Sequence, residues 1–294
     1  MDDEDGKNYY DVIIDDTIKK ILHLEKGRHS YVLCSGLKLS KHAFELFKRT
    51  EGAVGKTRII DFQIDENAKL LNAPAVSRRK IEFYGNSITC GYGILDTAGK
   101  GSNGAPQYED AYNTYASLTA RYFNADYRCI TKSGIGITIS WFPLIMSEVY
   151  DRLDYNEALP QWDFSGYTPD RVVVNLFQND SWLVKMYNHA EFKHRFGKTA
   201  PTPAFIINAY ASFIKSISSH YPSAKIICAL GDMDASKKGS PWFGYIQKAV
   251  ASLDDKNIYT ISFPYKGTGG HPNIQEHKAM ADILTKFIEK NIKW

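Results

Sequence analysis

Four short blocks along this 294-residue chain hold residues that can carry out acyl transfer, and they come in a telling order. Residues 81 to 87, Ile-Glu-Phe-Tyr-Gly-Asn-Ser, are an apolar run that stops at Gly85 and presents one small nucleophile, Ser87. In Ile130-Thr131-Lys132-Ser133-Gly134-Ile135-Gly136, small residues follow a short apolar stretch. Val172-Val173-Val174-Asn175-Leu176-Phe177-Gln178-Asn179-Asp180 reads as a buried strand that delivers an Asn at its end. Gly267-Thr268-Gly269-Gly270-His271-Pro272-Asn273 is a Gly-rich loop with one His directly before a helical pattern. Acyl transfer needs a nucleophile, a base to take its proton, and donors where the oxyanion forms. Ser87, His271, Gly134 and Asn179 fill those roles one for one. Each block alone is weak, since Gly, Asn and Ser also make ordinary turns.

With the four blocks in order, the chain resembles the SGNH (GDSL-type) hydrolases. More closely it resembles carbohydrate esterase family 2, the two-domain, acetyl xylan esterase-like deacetylases of plant polysaccharides. The closer likeness rests on Leu46-Phe47-Lys48-Arg49-Thr50-Glu51-Gly52, on Asp61-Phe62-Gln63-Ile64-Asp65 and on Cys90-Gly91-Tyr92-Gly93, and it runs from about residue 22 to the C-terminus. It implies a serine esterase that removes O-acetyl groups from hemicellulose-type carbohydrates through an acetyl-enzyme. Ser87 would be the nucleophile and His271 the general base. The Ser87 and Gly134 N–H groups and the Asn179 side-chain amide would form the oxyanion hole. No cofactor or metal is implied, and the compartment implied is periplasmic or secreted. An aromatic wall beside the acyl pocket would come from Trp182, three residues past Asn179, or from Trp242 or Trp141. Two other classes stay open: an SGNH hydrolase of lipids, thioesters or small esters, and a non-catalytic carbohydrate-binding relative.

The departures from the family pattern are informative. Gly-Asp-Ser is here Gly85-Asn86-Ser87, and Gly-Thr-Asn-Asp is here Phe177-Gln178-Asn179-Asp180. Many SGNH enzymes carry an Asp two or three residues before the His; those positions are Gly269 and Thr268, which cannot ionise. The expectation is therefore a Ser–His dyad, with the ring oriented by a backbone carbonyl of the 267–270 loop or by the Thr268 hydroxyl.

Composition fits a globular enzyme, with 44% hydrophobic and 23% charged residues. A net charge of +3, scattered along the chain, argues against nucleic acid as a partner. The 13% aromatic content suits sugar binding and core packing equally. Cys34, Cys90, Cys129 and Cys228 stand singly, so a zinc site is not expected and free thiols are the default. No apolar run reaches membrane-spanning length, and a membrane partner is not expected. The acidic start, Met1 to Gly6, has no h-region and is not a signal peptide, which on its own suits either a mature or a cytosolic chain. Three patterns are set aside. Gly99-Lys100-Gly101-Ser102-Asn103-Gly104 matches the dinucleotide fingerprint in letters but follows no strand, and reads as a flexible loop. The His189/His194 and His271/His277 spacings suit no helical metal pair, and Asp232 with Asp234 reads as a solvated turn.

The elements that must position the site divide in two. Residues 1–76 hold short β-rich runs: 10–14, 18–24, 30–34, 43–48 and 57–64, with turns at Asp15-Asp16 and Lys26-Gly27. They suggest a small antiparallel β-sandwich, jelly-roll-like by the resemblance and short enough to lack some strands. The linker is expected over 71–78. Residues 77–294 alternate strand and helix patterns, which reads as α/β with a five-stranded parallel sheet and helices on both faces; by the resemblance this is a three-layer, flavodoxin-like SGNH-hydrolase domain. The strands are 81–84, 127–131, 172–177, 226–230 and 258–261, and the helices 110–123, 204–220, 242–253 and 274–288. Three of the blocks directly follow strands, which points to a single active edge.

Overall fold

The computed structural model describes residues 1–72 and 77–294, so the expected linker at 71–78 lies partly outside the described residues. The N-terminal strands are β1 (Asp2–Asp3), β2 (Tyr9–Ile14), β3 (Thr17–His23), β4 (Gly27–Arg28), β5 (Phe44–Lys48) and β6 (Thr57–Arg58). They form two three-stranded antiparallel sheets, ordered β4-β1-β6 and β3-β2-β5. Asp15 and Asp16 make the two-residue turn between β2 and β3, both with positive φ, because that mirror-image turn matches strand twist. Tyr10, Val12, Leu22 and Leu24 form a small core there.

Two expected strands fall short. Residues 30–34 form no strand, and 57–64 contributes only Thr57–Arg58. Both runs have side chains suited to a half-buried sheet, but such a preference needs a partner strand. Val32, Ile59 and Phe62 are accordingly exposed.

The second region runs β7 (Lys80–Gly85), α1 (Ser87–Cys90), α2 (Tyr115–Tyr122), β8 (Asp126–Thr131), α3 (Met146–Val149), β9 (Arg152–Asp154) and β10 (Glu157–Gln161). It continues through β11 (Arg171–Asn175), α4 (Gln178–Leu183), α5 (Ala190–Phe196), α6 (Pro203–His220), β12 (Lys225–Leu230), α7 (Trp242–Leu253), β13 (Ile258–Ser262) and α8 (Ile274–Asn291). Five strands form one parallel sheet in the order β13-β12-β11-β7-β8. All five lie where the apolar runs place them, although β11 ends at Asn175 rather than at residue 177. The β9–β10 hairpin was not expected: its strands are short and Leu153 and Leu159 are exposed, so no buried apolar face marks it.

Burial on both faces explains the unbroken Val172-Val173-Val174 run. Val172 and Val174 pack with Tyr84, Tyr210, Phe213 and Ile214 on one side. Val173 packs with Ile81, Phe83, Tyr115, Met280 and Leu284 on the other. From β7 the chain goes outward to β8 and then returns to β11 on β7's other side. The crevice where strand order reverses therefore opens between the carboxyl ends of β7 and β11, flanked by that of β8. Among the described residues no helix is long and apolar enough to cross a membrane.

Candidate active site

Ser87 lies just past β7, one of the two strands that border that crevice. Asn86 caps α1, its side chain accepting the Ile88 N–H at 3.1 Å. An Asp would cap the same way, so the Asn86 departure keeps the turn while dropping a charge beside the serine. The Ser87 Oγ lies 2.8 Å from His271 Nε2.

The other nitrogen of His271 settles what orients the ring. Nδ1 lies 2.9 Å from the carbonyl oxygen of Gly101, 170 residues away in sequence. A carbonyl can only accept, so Nδ1 carries the proton and Nε2 keeps its lone pair toward the serine hydroxyl. This corrects two expectations. The orienting carbonyl comes from the 99–104 loop rather than from 267–270, and Thr268 instead hydrogen-bonds Lys266 and Glu276. Nor is 99–104 merely a flexible loop: the Asp96 carboxylate accepts the Gly99 and Asn103 N–H groups at 2.8 and 2.9 Å. The two loops lie backbone to backbone. Gly101 has φ +75°, and a Cβ there would sit 2.5 Å from the His271 carbonyl oxygen. Gly270 has φ +71°, and its Cβ would overlap the Lys100 carbonyl. Burial pushes the His271 pKa down from the ordinary 6.5 to about 4; the Gly101 bond resists this and the Lys266 charge adds to it.

Across the serine, the loops after β8 and β11 are stapled together. Asn179 lies in the first turn of α4, and its Oδ1 accepts the Trp141 indole N–H at 3.0 Å. That contact fixes the amide orientation, because an indole N–H only donates. Asn179 Nδ2 gives one proton to the Ile135 carbonyl at 2.8 Å and keeps a second. The buried Asp180 carboxylate accepts the Ile137 and Thr138 N–H groups at 3.1 and 2.7 Å and the Thr138 hydroxyl at 2.7 Å. Burial pushes its pKa up, against those bonds. Among the described residues, neither the Ser87 nor the Gly134 N–H finds an acceptor. Two backbone donors and one amide proton are thus left free on the loops around the serine hydroxyl. Donors so placed would suit a negative oxygen forming beside the Ser87 hydroxyl.

The tryptophans separate. Trp182 joins His271, Ser102, Met233, Asp234 and Thr268 around a cavity of about 280 Å³, its indole N–H bonded to Asp234 at 3.1 Å. Trp141 covers Asn179 and meets the His189 ring edge-on at 5.3 Å. Trp242 is buried away from the cavity, against Phe177 and Tyr245. Phe177 explains that packing. It takes φ +80° at the turn into α4, where the family pattern has Gly, and its ring is held by Tyr210 and Trp242 at 4.7 and 5.0 Å. The strain of that backbone, roughly 1–3 kcal/mol, is offset by aromatic burial.

Among the charged groups, Asp234 pairs with Lys237 at 2.6 Å, but Asp232 is buried and not part of a solvated turn. Burial, with the Glu276 charge behind it, pushes the Asp232 pKa to about 7. His277 is structural: its Nδ1 accepts the Tyr115 N–H at the start of α2. The four cysteines are free. Among the described residues no group of three or more His, Cys, Asp or Glu is placed to hold a metal.

Residues 1–74 match the family model described as Carbohydrate esterase 2 N-terminal. The Cellulase/esterase CelE of Acetivibrio thermocellus is 32% identical over 98% of this chain, which spans 35% of that protein's length. An Acetylxylan esterase / glucomannan deacetylase of Cellvibrio japonicus is 25% identical over 100% of this chain and 79% of its own. Among solved structures, a family two carbohydrate esterase from Clostridium thermocellum in complex with cellohexaose superposes with a TM-score of 0.85. It is 32% identical over 98% of this chain and 87% of that one. A likeness that spans both chains almost end to end leaves the assignment plain: the chain belongs to carbohydrate esterase family 2.

Proposed function

We propose that the protein is a serine esterase that hydrolyses O-acetyl groups on hemicellulose-type carbohydrates. The observation that carries this reading is the hydrogen-bonded line Ser87 Oγ, His271 Nε2, His271 Nδ1, Gly101 carbonyl, at 2.8 and 2.9 Å, set at the crevice beside β7. The Ser87 oxygen attacks the acetyl carbonyl carbon as its proton passes to His271 Nε2. The carbonyl oxygen takes the negative charge and rests on the Ser87 and Gly134 N–H groups and the Asn179 amide. Collapse breaks the bond to the sugar oxygen, which leaves with the proton from His271. Water then attacks the acetyl-enzyme with His271 again as base, releasing acetate and freeing Ser87.

The carbohydrate part of the reading draws on the relatives' names, acetylxylan esterase and glucomannan deacetylase, and on the cellohexaose complex of the Clostridium enzyme. The Trp182 wall of the 280 Å³ cavity offers an apolar face of the kind sugar rings stack on. We take residues 1–76 as the N-terminal β domain and 77–294 as the catalytic domain, acting in a periplasmic or secreted setting. Acetate release from 4-nitrophenyl acetate and from acetylated xylan or glucomannan, by wild type and by Ser87→Ala, tests the proposal. Release from both substrates that vanishes in the variant is expected. Turnover of the small ester alone would remove the carbohydrate assignment, and turnover of neither would leave a sugar-binding relative.

A further inference from the structure

Resting on that esterase reading, a second inference concerns how the N-terminal region reaches the active site. The segment after β5 is pinned on both sides. Lys48 Nζ donates to the Thr50 and Glu51 carbonyls at 2.9 and 3.0 Å. Arg49, buried, pairs with Asp11 at 3.0 Å and with Asp110 at 3.4 Å, and its carbonyl accepts the Ala111 N–H. The Glu51 N–H donates to Glu109 Oε2 at 2.9 Å. From this anchored backbone the Glu51 side chain extends to the catalytic loops. Its Oε2 accepts the Ser133 N–H at 2.6 Å and lies 3.7 Å from the Cys90 thiol, which closes α1 and also touches the Ser133 hydroxyl at 3.3 Å.

The Ser133 peptide directly precedes the one that carries the Gly134 N–H. A turn containing glycine has wide conformational freedom of its own, so an external contact is needed to hold it in one orientation. A charge-assisted bond to a carboxylate is a strong form of such a contact. We propose that Glu51 is a positioning residue for the esterase reaction: its carboxylate grips the Ser133 N–H and so aims the Gly134 N–H at the oxyanion. The N-terminal region thereby contributes a side chain that sets catalytic geometry without touching substrate.

The test compares Glu51→Ala and Glu51→Gln with wild type in two readouts. On 4-nitrophenyl acetate, Glu51→Ala is expected to lose roughly 10- to 100-fold in kcat with KM within about twofold, as for a misaimed oxyanion donor. Glu51→Gln, whose amide oxygen still accepts from Ser133, is expected to keep kcat within about threefold of wild type. In hydrogen exchange, the Ser133 amide, which donates to Glu51, should exchange at least about tenfold faster in Glu51→Ala and nearly as wild type in Glu51→Gln. Unchanged kcat and exchange in Glu51→Ala would overturn the proposal, and so would a Gln variant as impaired as the Ala variant in both. If wild type hydrolysed no ester, the esterase reading would fall by itself, and the exchange comparison would still decide whether Glu51 holds the turn.

Discussion

The two halves of the active site are built in opposite ways. On the serine side, Ser87, Gly134 and Asn179 each follow a strand of one parallel sheet, so the ladder register of β11, β7 and β8 sets their spacing. On the histidine side no strand end does this work. His271 is held where two glycine-bearing loops, 99–104 and 267–271, lie against each other, its ring tied to a backbone carbonyl. A site can thus combine side chains placed by regular structure with a histidine whose ring is oriented by a backbone carbonyl and packed against Tyr92. The first arrangement tolerates change at positions that keep the strand pattern. The second depends on the absence of a Cβ.

Mutations can break or sharpen this contrast. Ser87→Ala and His271→Ala should each cost on the order of 10⁴-fold or more in kcat, as expected for groups that act as a unit. Alanine at Asp232, or at any other single Asp or Glu, should cut turnover much less than His271→Ala; equal loss would mean a carboxylate completes the site after all. On the serine side, Asn179→Ala should cost about 10²- to 10³-fold in kcat with a smaller change in KM, the usual loss for one oxyanion donor. On the histidine side, Gly101→Ala should lower turnover by about 10- to 100-fold, because an ångström of displacement at the base is enough. It should also destabilise the fold by roughly 1–3 kcal/mol in thermal melts, from the left-handed backbone it must keep. Gly269→Ala, where a Cβ meets nothing within 4 Å, should leave both within about 0.5 kcal/mol of wild type. Similar losses at Gly101 and Gly269 would mean that close backbone approach is not what holds the histidine side. Trp182→Ala should affect glycans alone: a raised KM for acetylated glycans with kcat on 4-nitrophenyl acetate near wild type, measured side by side.

What could be read from the sequence follows the same division. The five strands of the parallel sheet appear as apolar runs because they are buried on both faces, and three of the four blocks that make up the candidate site come directly after them. The Gly101 carbonyl left no such trace. A backbone oxygen has no residue type to recognise, and its partner lies 170 residues away. The one available signal was the density of glycines in both loops, which permits close backbone approach as readily as flexibility. Burial misled elsewhere: Asp232 follows a strand end as a surface turn would, yet the chain folds over it. Trp242 stands near the sheet edge in sequence but fills the space beside Phe177, whose left-handed backbone no local pattern announces. Glu51 lies within a motif that pointed to the family, but its reach to Ser133 spans 82 residues and no spacing rule encodes it.

The most direct test of the histidine's arrangement is a nitrogen-15 NMR titration of the His271 ring in the wild-type protein from pH 7 down to pH 4. The structure predicts a neutral ring at pH 7 with the proton on Nδ1 and Nε2 bare. Because its pKa is pushed down to about 4, protonation should begin only as the pH approaches that value, with the acid limb of kcat/KM following it. A ring that carries its neutral-form proton on Nε2, or that becomes doubly protonated at or above its ordinary 6.5, would contradict a buried imidazole oriented by the Gly101 carbonyl rather than by a carboxylate.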